Sequence, residues 1–219
     1  MIDARAVLLD VDDTLYPRDC GLWYAVRDRI QAFIESHLDV SPETAADLRS
    51  RYLSQYGTTL RGLQDEFSVD PFEYLDYVHD VPVASFLQPD PILRNLLHSA
   101  TLPIFFFSNA YRGHVERVIA ALGLADLPIQ VIDIVALEFQ NKPLPGAYDR
   151  ALELAGITNP ASAIMIDDRS ANLTPAMERQ MYSVLVGPAV TGFQPDLRID
   201  HIHMLTSCLP EVFPGTLVD

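Results

Sequence analysis

Short aliphatic runs alternate with stretches of helical periodicity along most of this chain. Ala6 to Val11 is apolar until it meets carboxylates, the pattern of a strand buried on both faces. Leu102 to Phe107, Ile129 to Val135, Ala163 to Ile166 and Tyr182 to Val186 predict four more strands. The intervening segments predict helices. Pro91 to Ser99 has proline at a natural first turn, and Arg112 to Leu122 stops at Gly123. Pro145 to Ala155 stops at Gly156, and Ser170 to Arg179 precedes the last of these strands. Repetition of strand and helix predicts an α/β fold with a parallel sheet covered on both faces.

The rhythm breaks between Tyr16 and Pro89. No strand is predicted there, but helical periodicity runs through Leu22 to Leu38, Pro42 to Tyr56 and Pro71 to Val78. Ser41-Pro42-Glu43-Thr44 is a good helix start, with a capping serine and a first-turn proline. The simplest organisation is a helical insert, residues 16–89, within a core made of residues 1–15 and 90–219. After Gly187 the pattern predicts a loop, one short edge strand and a final turn of helix.

Composition narrows the function. Apolar residues make up 49 % and charged residues 21 %, enough for a buried core and too apolar for disorder. The formal charge is −15, from 30 Asp and Glu against 15 Lys and Arg, which argues against a nucleic-acid polymer or an anionic membrane as partner. Any bound phosphate must then be attracted locally. Cys20 and Cys208 are too far apart in sequence for a metal-binding spacing and read as free thiols. The first residues lack a signal-peptide pattern, and the most apolar region is interrupted by Asp126, Pro128, Gln130 and Asp133. A cytoplasmic protein without membrane spans is expected.

Four places carry candidate chemistry, and all follow predicted strands, where open parallel sheets bind ligands. Asp10 and Asp12 can turn toward one point as the chain leaves the first strand. Two carboxylates so close need a cation between them or a proton on one, although acids after a strand also cap turns. Asp13 follows directly, and three acids in four positions are costly without a cation. Ser108-Asn109 can hold phosphoryl oxygens, or can simply cap a helix. Lys142 is the only lysine, set in the proline-stiffened run Asn141-Lys142-Pro143-Leu144-Pro145. It reads as a phosphate counter-charge, against the plainer alternative of a solvated surface charge. Asp167-Asp168 suits the edge of a magnesium site or the start of a helix, with Asn172 one turn on.

In this order the motifs resemble those of the haloacid dehalogenase (HAD) superfamily of phosphatases: D-x-D-x-T, then Ser or Thr, then Lys, then an acidic pair. They map onto Asp10, Asp12 and Thr14; Ser108; Lys142; and Asp167 with Asp168. The resemblance implies a Rossmann-like core and makes the helical insert similar to a C1-type cap. Asp12-Asp13-Thr14-Leu15-Tyr16-Pro17, Tyr56 to Leu63, Tyr77-Val78-His79-Asp80 and Phe107-Ser108-Asn109-Ala110 look like the pyrimidine 5′-nucleotidase branch.

That resemblance implies an aspartyl-phosphate mechanism. Asp10 is the nucleophile, and Asp12 protonates the leaving group and later activates water. Mg²⁺ is held by Asp10, the Asp12 carbonyl and Asp168, with Asp167 nearby. Ser108 and Lys142 grip the phosphoryl group, with Thr14 and Asn109 beside it. An aspartate at position 12 favours phosphoryl transfer over carbon–halogen cleavage, which needs no acid. Asp13 stands where many relatives have glycine, and Asn172 where many have aspartate. In the insert, Arg61 and His79 are candidates to read a base or sugar, each with a structural alternative as an ion-pair or core residue. The expected substrate is a small phosphorylated metabolite, a nucleoside monophosphate with UMP or CMP first. Other small phosphate esters, a sugar phosphomutase and a catalytically silent binding protein are the competing readings.

Overall fold

The computed structural model describes residues 3–215. Six strands form one parallel sheet: β1 (Ala6–Leu9), β2 (Ile104–Phe107), β3 (Gln130–Ile132), β4 (Ala163–Asp167), β5 (Tyr182–Val186) and β6 (Leu197–Ile199). Their order is β3-β2-β1-β4-β5-β6. Val7 lies opposite Ile104 of β2 on one side and Ile164 of β4 on the other.

Alternate residues of the strands enter different cores. Val7, Leu9, Phe106, Ile164, Ile166 and Val184 join one cluster, and Leu8, Phe107, Ile132, Met165 and Leu185 join the other. This period of two, with nearly every position buried, is why the strands read as continuous apolar runs.

Among the described residues there are nine α-helices, five of which cover the sheet. The second cluster is closed by α7 (Pro145–Leu154) and α8 (Ser170–Glu178), through residues such as Tyr148, Ala151 and Leu173. The first is closed by α5 (Pro91–His98), α6 (Arg112–Ala121) and α9 (Leu205–Cys208), and continues into the helices between β1 and β2. These are α1 (Leu22–Leu38), α2 (Pro42–Tyr56), α3 (Thr59–Phe67) and α4 (Pro71–Val78).

Local chemistry sets their starts. Ser41 Oγ accepts the Thr44 N–H at α2, Asp70 accepts the N–H groups of Phe72 and Glu73 at α4, and Asp90 accepts the Leu93 N–H at α5. Each of these three helices has proline in its first turn.

Two elements differ from the sequence pattern. The strand expected over 129–135 ends at Ile132, because the Asp133 carboxylate turns away to accept the N–H groups of Arg112 and Ala136. The helix α3 is additional. It packs so close to α2 that a Cβ on Gly62 would lie 2.2 Å from the Tyr52 ring.

Among the described residues no helix is long and apolar enough to cross a membrane.

Candidate active site

From β1 the chain proceeds to β2 and β3 on one side of the sheet, then returns to build β4, β5 and β6 on the other. The direction reverses between β1 and β4, and a crevice at the carboxyl ends of the strands is expected there. Asp10 follows β1, Ser108 follows β2, Asp167 ends β4 and Asp168 follows it. Lys142 arrives from the loop between β3 and α7. Residues spread over most of the chain thus meet at the floor of one cavity of about 400 Å³. Its wall comes from the helices after β1, including Trp23, Val26, Leu53 and Tyr74.

Asp10 is 7 % exposed. Its Oδ2 accepts from Thr14 Oγ1 (2.8 Å), and its Oδ1 accepts from Lys142 Nζ (2.7 Å). Lys142, 1 % exposed, gives its other two protons to Asp167 Oδ2 (2.8 Å) and the Phe107 carbonyl (2.7 Å). All three of its donors are therefore spent within the protein. Thr14 is buried behind Asp10 and its hydroxyl is turned to that carboxylate, so the expectation that it touches substrate is corrected to support of Asp10.

Asp167 is completely enclosed. It accepts from Asn172 Nδ2 on both oxygens and from the Arg169 N–H as well as from Lys142. Asn172 thus serves to hold Asp167.

Asn109 lines the cavity but spends its amide on the backbone of Lys142. Its Oδ1 accepts the Lys142 N–H (2.7 Å) and its Nδ2 donates to the Lys142 carbonyl (2.9 Å). Ser108 is buried at the cavity, where its Oγ accepts the Ala110 N–H (3.0 Å). Ser108 and Asn109 thus both line the cavity and organise the backbone around it.

Electrostatics separates the two first-strand acids. Burial pushes Asp10 up to about 7, with Lys142 opposing and Asp167 reinforcing the rise. For Asp12 burial also acts upward, but His114 and Tyr16 outweigh it and hold the carboxyl at about 2. Burial, then the charges of Asp10 and Asp167, pushes Asp168 up to about 8. Burial would favour the neutral form of Lys142, but Asp10 and Asp167 outweigh it and raise its pKa.

Asp10, Asp167 and Asp168 can each place one carboxylate oxygen within 4.8 Å of the others. Three acids with one ammonium between them leave excess negative charge, which the raised pKa values of Asp10 and Asp168 express as a need for protons or a cation. Oxygen donors of this kind suit a hard divalent ion, so the residues fit one.

Four further residues escaped sequence reading. His114 Nε2 and Tyr16 Oη both contact Asp12 Oδ1, at 2.8 and 2.6 Å. Arg18 pairs with Asp13 (2.6 Å) and lies 3.5 Å from Asp168. Arg49 lines the cavity from α2 with a buried Nε that has no partner. No local pattern could have signalled His114, which lies 102 positions from the acid it touches, whereas Tyr16 and Arg18 lie four and five positions from theirs.

His79 lines the cavity, and its Nδ1 is engaged with the Leu75 carbonyl (2.9 Å). Burial, with His114 adding to it, lowers His79 to about 3. Arg61 is a correction. It is not among the cavity residues and instead pairs with Asp65 one turn along α3 (3.1 Å), because its helix turns that side chain outward to a neighbour at i+4.

Comparison with known proteins adds a lineage. A family model described as haloacid dehalogenase-like hydrolase matches residues 4–177. Phosphate metabolism protein 8 of Saccharomyces cerevisiae is 26 % identical over 201 residues, 83 % of this chain and 61 % of that protein. The chain thus spans about three-fifths of that relative's length.

Among solved structures, a HAD phosphatase from Thermococcus onnurineus superposes with a TM-score of 0.59 at 19 % identity, covering 94 % of this chain and 97 % of that one. L-2-haloacid dehalogenase from Xanthobacter autotrophicus gives 0.58 at 17 %, covering 94 % and 98 %. The HAD-hydrolase YfnB from Bacillus subtilis, bound to magnesium, gives 0.59 at 15 %, covering 94 % and 98 %. At these identities the likeness is one of fold.

Proposed function

We propose that this chain, which belongs to the haloacid dehalogenase-like hydrolase family, is a Mg²⁺-dependent phosphomonoesterase acting through an aspartyl-phosphate. One observation carries the reading: Asp10 and Asp12 stand two residues apart at the cavity floor in opposite environments. Asp10 is set against an ammonium and two carboxylates, while Asp12 is held apart by Tyr16 and His114. Division of labour between two acids is what covalent phosphoryl transfer requires. Carbon–halogen cleavage expels a halide that needs no proton, so an acid at position 12 would be idle. Solved relatives of this fold include proteins of both names, and the fold does not choose between them.

In the proposed reaction an Asp10 oxygen attacks phosphorus as the ester P–O bond breaks, and the leaving alkoxide takes a proton from Asp12, which is ionised in the free site and takes that proton up from solvent when the negative charge of the substrate faces it. Asp12 then removes a proton from the water that cleaves the acyl phosphate. Lys142 orients Asp10 and offsets its charge, reaching the substrate through that carboxylate rather than through a free N–H. Ser108 and its neighbouring backbone contact the phosphoryl oxygens. Asp10, Asp168 and the Asp12 carbonyl would hold Mg²⁺, with Asp167 behind them. When bound, the ion offsets the repulsion between the nucleophile and the phosphoryl oxygens.

Residues 16–89 act in this reading as a cap, since their helices supply the wall that meets the leaving group. Trp23 and the apolar wall suit a flat ring, and the unspent guanidinium of Arg49 suits a leaving group with acceptor oxygens. Pyrimidine nucleoside 5′-monophosphates, UMP or CMP first, meet both demands. The yeast relative named for phosphate metabolism supports a phosphorylated substrate.

The test is phosphate release over a panel of nucleotides and sugar phosphates, with Mg²⁺ and with EDTA. Metal-dependent turnover that favours UMP or CMP, and its loss in a folded Asp10→Asn variant, is expected. No turnover of any monoester overturns the enzyme reading, and a preference for hexose phosphates overturns the nucleotidase reading alone.

A further inference from the structure

We infer that Arg49 is the specificity-determining residue of the leaving-group pocket, donating two parallel N–H bonds to adjacent acceptors on the edge of a flat ring. Of the pyrimidine bases this selects cytosine over uracil. The inference rests on the nucleotidase reading and makes a choice which that reading leaves open.

Arg49 and Leu53 stand one turn apart on α2, and both line the cavity. Trp23 and Val26 line it from α1, and Tyr74 and Val78 from α4. This part of the wall is largely apolar. Arg27, the other base that these helices bring to the cavity, pairs with Asp28 (2.9 Å).

The Arg49 Nε is buried and has no hydrogen-bond partner. Local sequence denies it one, because the positions a turn away on α2 are Ala45, Ala46, Tyr52 and Leu53, none of them acidic. Neighbouring guanidinium groups differ: Arg51 holds Glu66 (2.6 Å) and Arg61 holds Asp65 (3.1 Å). The carboxylates of the cavity are engaged elsewhere, Asp10 by Lys142, Asp12 by His114, and Asp13 and Asp168 by Arg18. In a chain with 30 acids against 15 bases, a buried guanidinium nitrogen without an acceptor is costly unless a ligand supplies one.

The shape of the guanidinium narrows that ligand. Its Nε–H and the neighbouring Nη–H point the same way, a fork that fits two acceptors side by side. Cytosine offers such a pair in its 2-carbonyl oxygen and ring N3. Uracil carries N3–H at the second position, so a donor would face a donor and only one bond could form. Burial pushes the Tyr74 hydroxyl up in pKa while Thr59 and the Arg49 charge oppose the rise, so these three groups gather at one place in the wall. A hydroxyl donates or accepts as needed, so Tyr74 and Thr59 suit the 4-amino group of cytosine and the 4-carbonyl of uracil alike. Discrimination falls to Arg49, which can only donate.

The experiment measures kcat/KM at saturating Mg²⁺ for CMP, UMP, the 2-pyrimidinone ribonucleoside 5′-monophosphate and phenyl phosphate, in wild type, Arg49→Lys and Arg49→Met. The 2-pyrimidinone keeps the acceptor pair and lacks the 4-amino group, and phenyl phosphate has neither. Wild type should favour CMP and the 2-pyrimidinone nucleotide over UMP by about tenfold, within the discrimination that one bidentate arginine contact gives. Both variants should bring that preference to within about twofold of unity, with the change carried mainly by KM. The ratio of CMP to phenyl phosphate should fall with it, whereas a general loosening of the fold would lower both together. Arg49→Lys keeps the charge without the fork, and it serves alone if Arg49→Met does not fold.

Equal wild-type rates on CMP and UMP, a preference for UMP, or a 2-pyrimidinone nucleotide no better than UMP overturns the inference and leaves the nucleotidase reading intact. A CMP preference kept in either folded variant, or losses of equal size on CMP, UMP and phenyl phosphate, does the same. A wild type that prefers hexose phosphates to both nucleotides overturns the nucleotidase reading as well.

Discussion

Lys142 is the only lysine of the chain, and it is buried between the carboxylates of Asp10 and Asp167. Enclosing an ammonium is tolerable here because all three of its protons are bonded. Lys142→Met keeps most of the volume and removes the charge, leaving two buried acids without their partner. Metal-free, at pH 8, this should cost on the order of 3–5 kcal/mol in urea unfolding, the range for breaking a buried ion pair.

The penalty must also depend on pH. Lys142 lowers the pKa of Asp10, so removing it raises that pKa beyond about 7, further above the unfolded value of 3.8. Between those two values the folded state binds more protons than the unfolded, so stability is present at low pH and lost as pH rises. Lys142→Met should thus be less damaging at pH 5 than at pH 8. Equal penalties at both values would show that Asp10 does not take up the proton.

At the scale of elements, the lysine loop is set by what packs against it. Gly57, at the end of α2, has φ +81°, and a Cβ there would lie 2.4 Å from Pro143 Cδ and 3.0 Å from the Lys142 carbonyl. Asn141 Nδ2 donates to the neighbouring Tyr56 carbonyl (2.9 Å) and ties the loop to the same helix end. Gly57→Ala should therefore displace Lys142, with activity lower by tenfold or more, given the roughly hundredfold loss that about 1 Å of misplacement can bring. Gly156→Ala is the control. It has φ +69° and nothing within 4 Å, so it should show only the left-handed backbone cost of about 1–2 kcal/mol and normal turnover. Similar activities in the two variants would refute the proposed linkage.

The helices Leu22–Leu38, Pro42–Tyr56 and Pro71–Val78 were legible in the sequence because spacing and caps act locally. α3 was not, because it carries Gly62 near its middle. That glycine disfavours an isolated helix and is explained only by the Tyr52 ring pressed against it. The acids and Lys142 were legible as strand-end and loop residues. His114 and Arg49 acquire their meaning only from the fold, which brings them to the cavity, whereas Tyr16 and Arg18 contact acids four and five positions away.

For the molecule as a whole, the formal charge of −15 sets a condition on how a phosphate reaches the cavity. Lys142 is enclosed at the site, and Arg18 is paired with Asp13, so the outward field is dominated by the surplus acids. A phosphate dianion approaching such a surface is repelled over a distance set by the salt. That distance is about 30 Å at 0.01 M and about 8 Å at 0.15 M ionic strength. Screening should then help the encounter, the reverse of the behaviour of an enzyme that steers its substrate with a basic surface. With Mg²⁺ held saturating, kcat/KM for a phosphomonoester should rise by roughly two- to fivefold as NaCl goes from 10 to 150 mM, a modest share of the range that protein fields produce. A steady fall over that interval would mean that the local cationic groups, Arg49 and the bound ion among them, govern approach as well as binding.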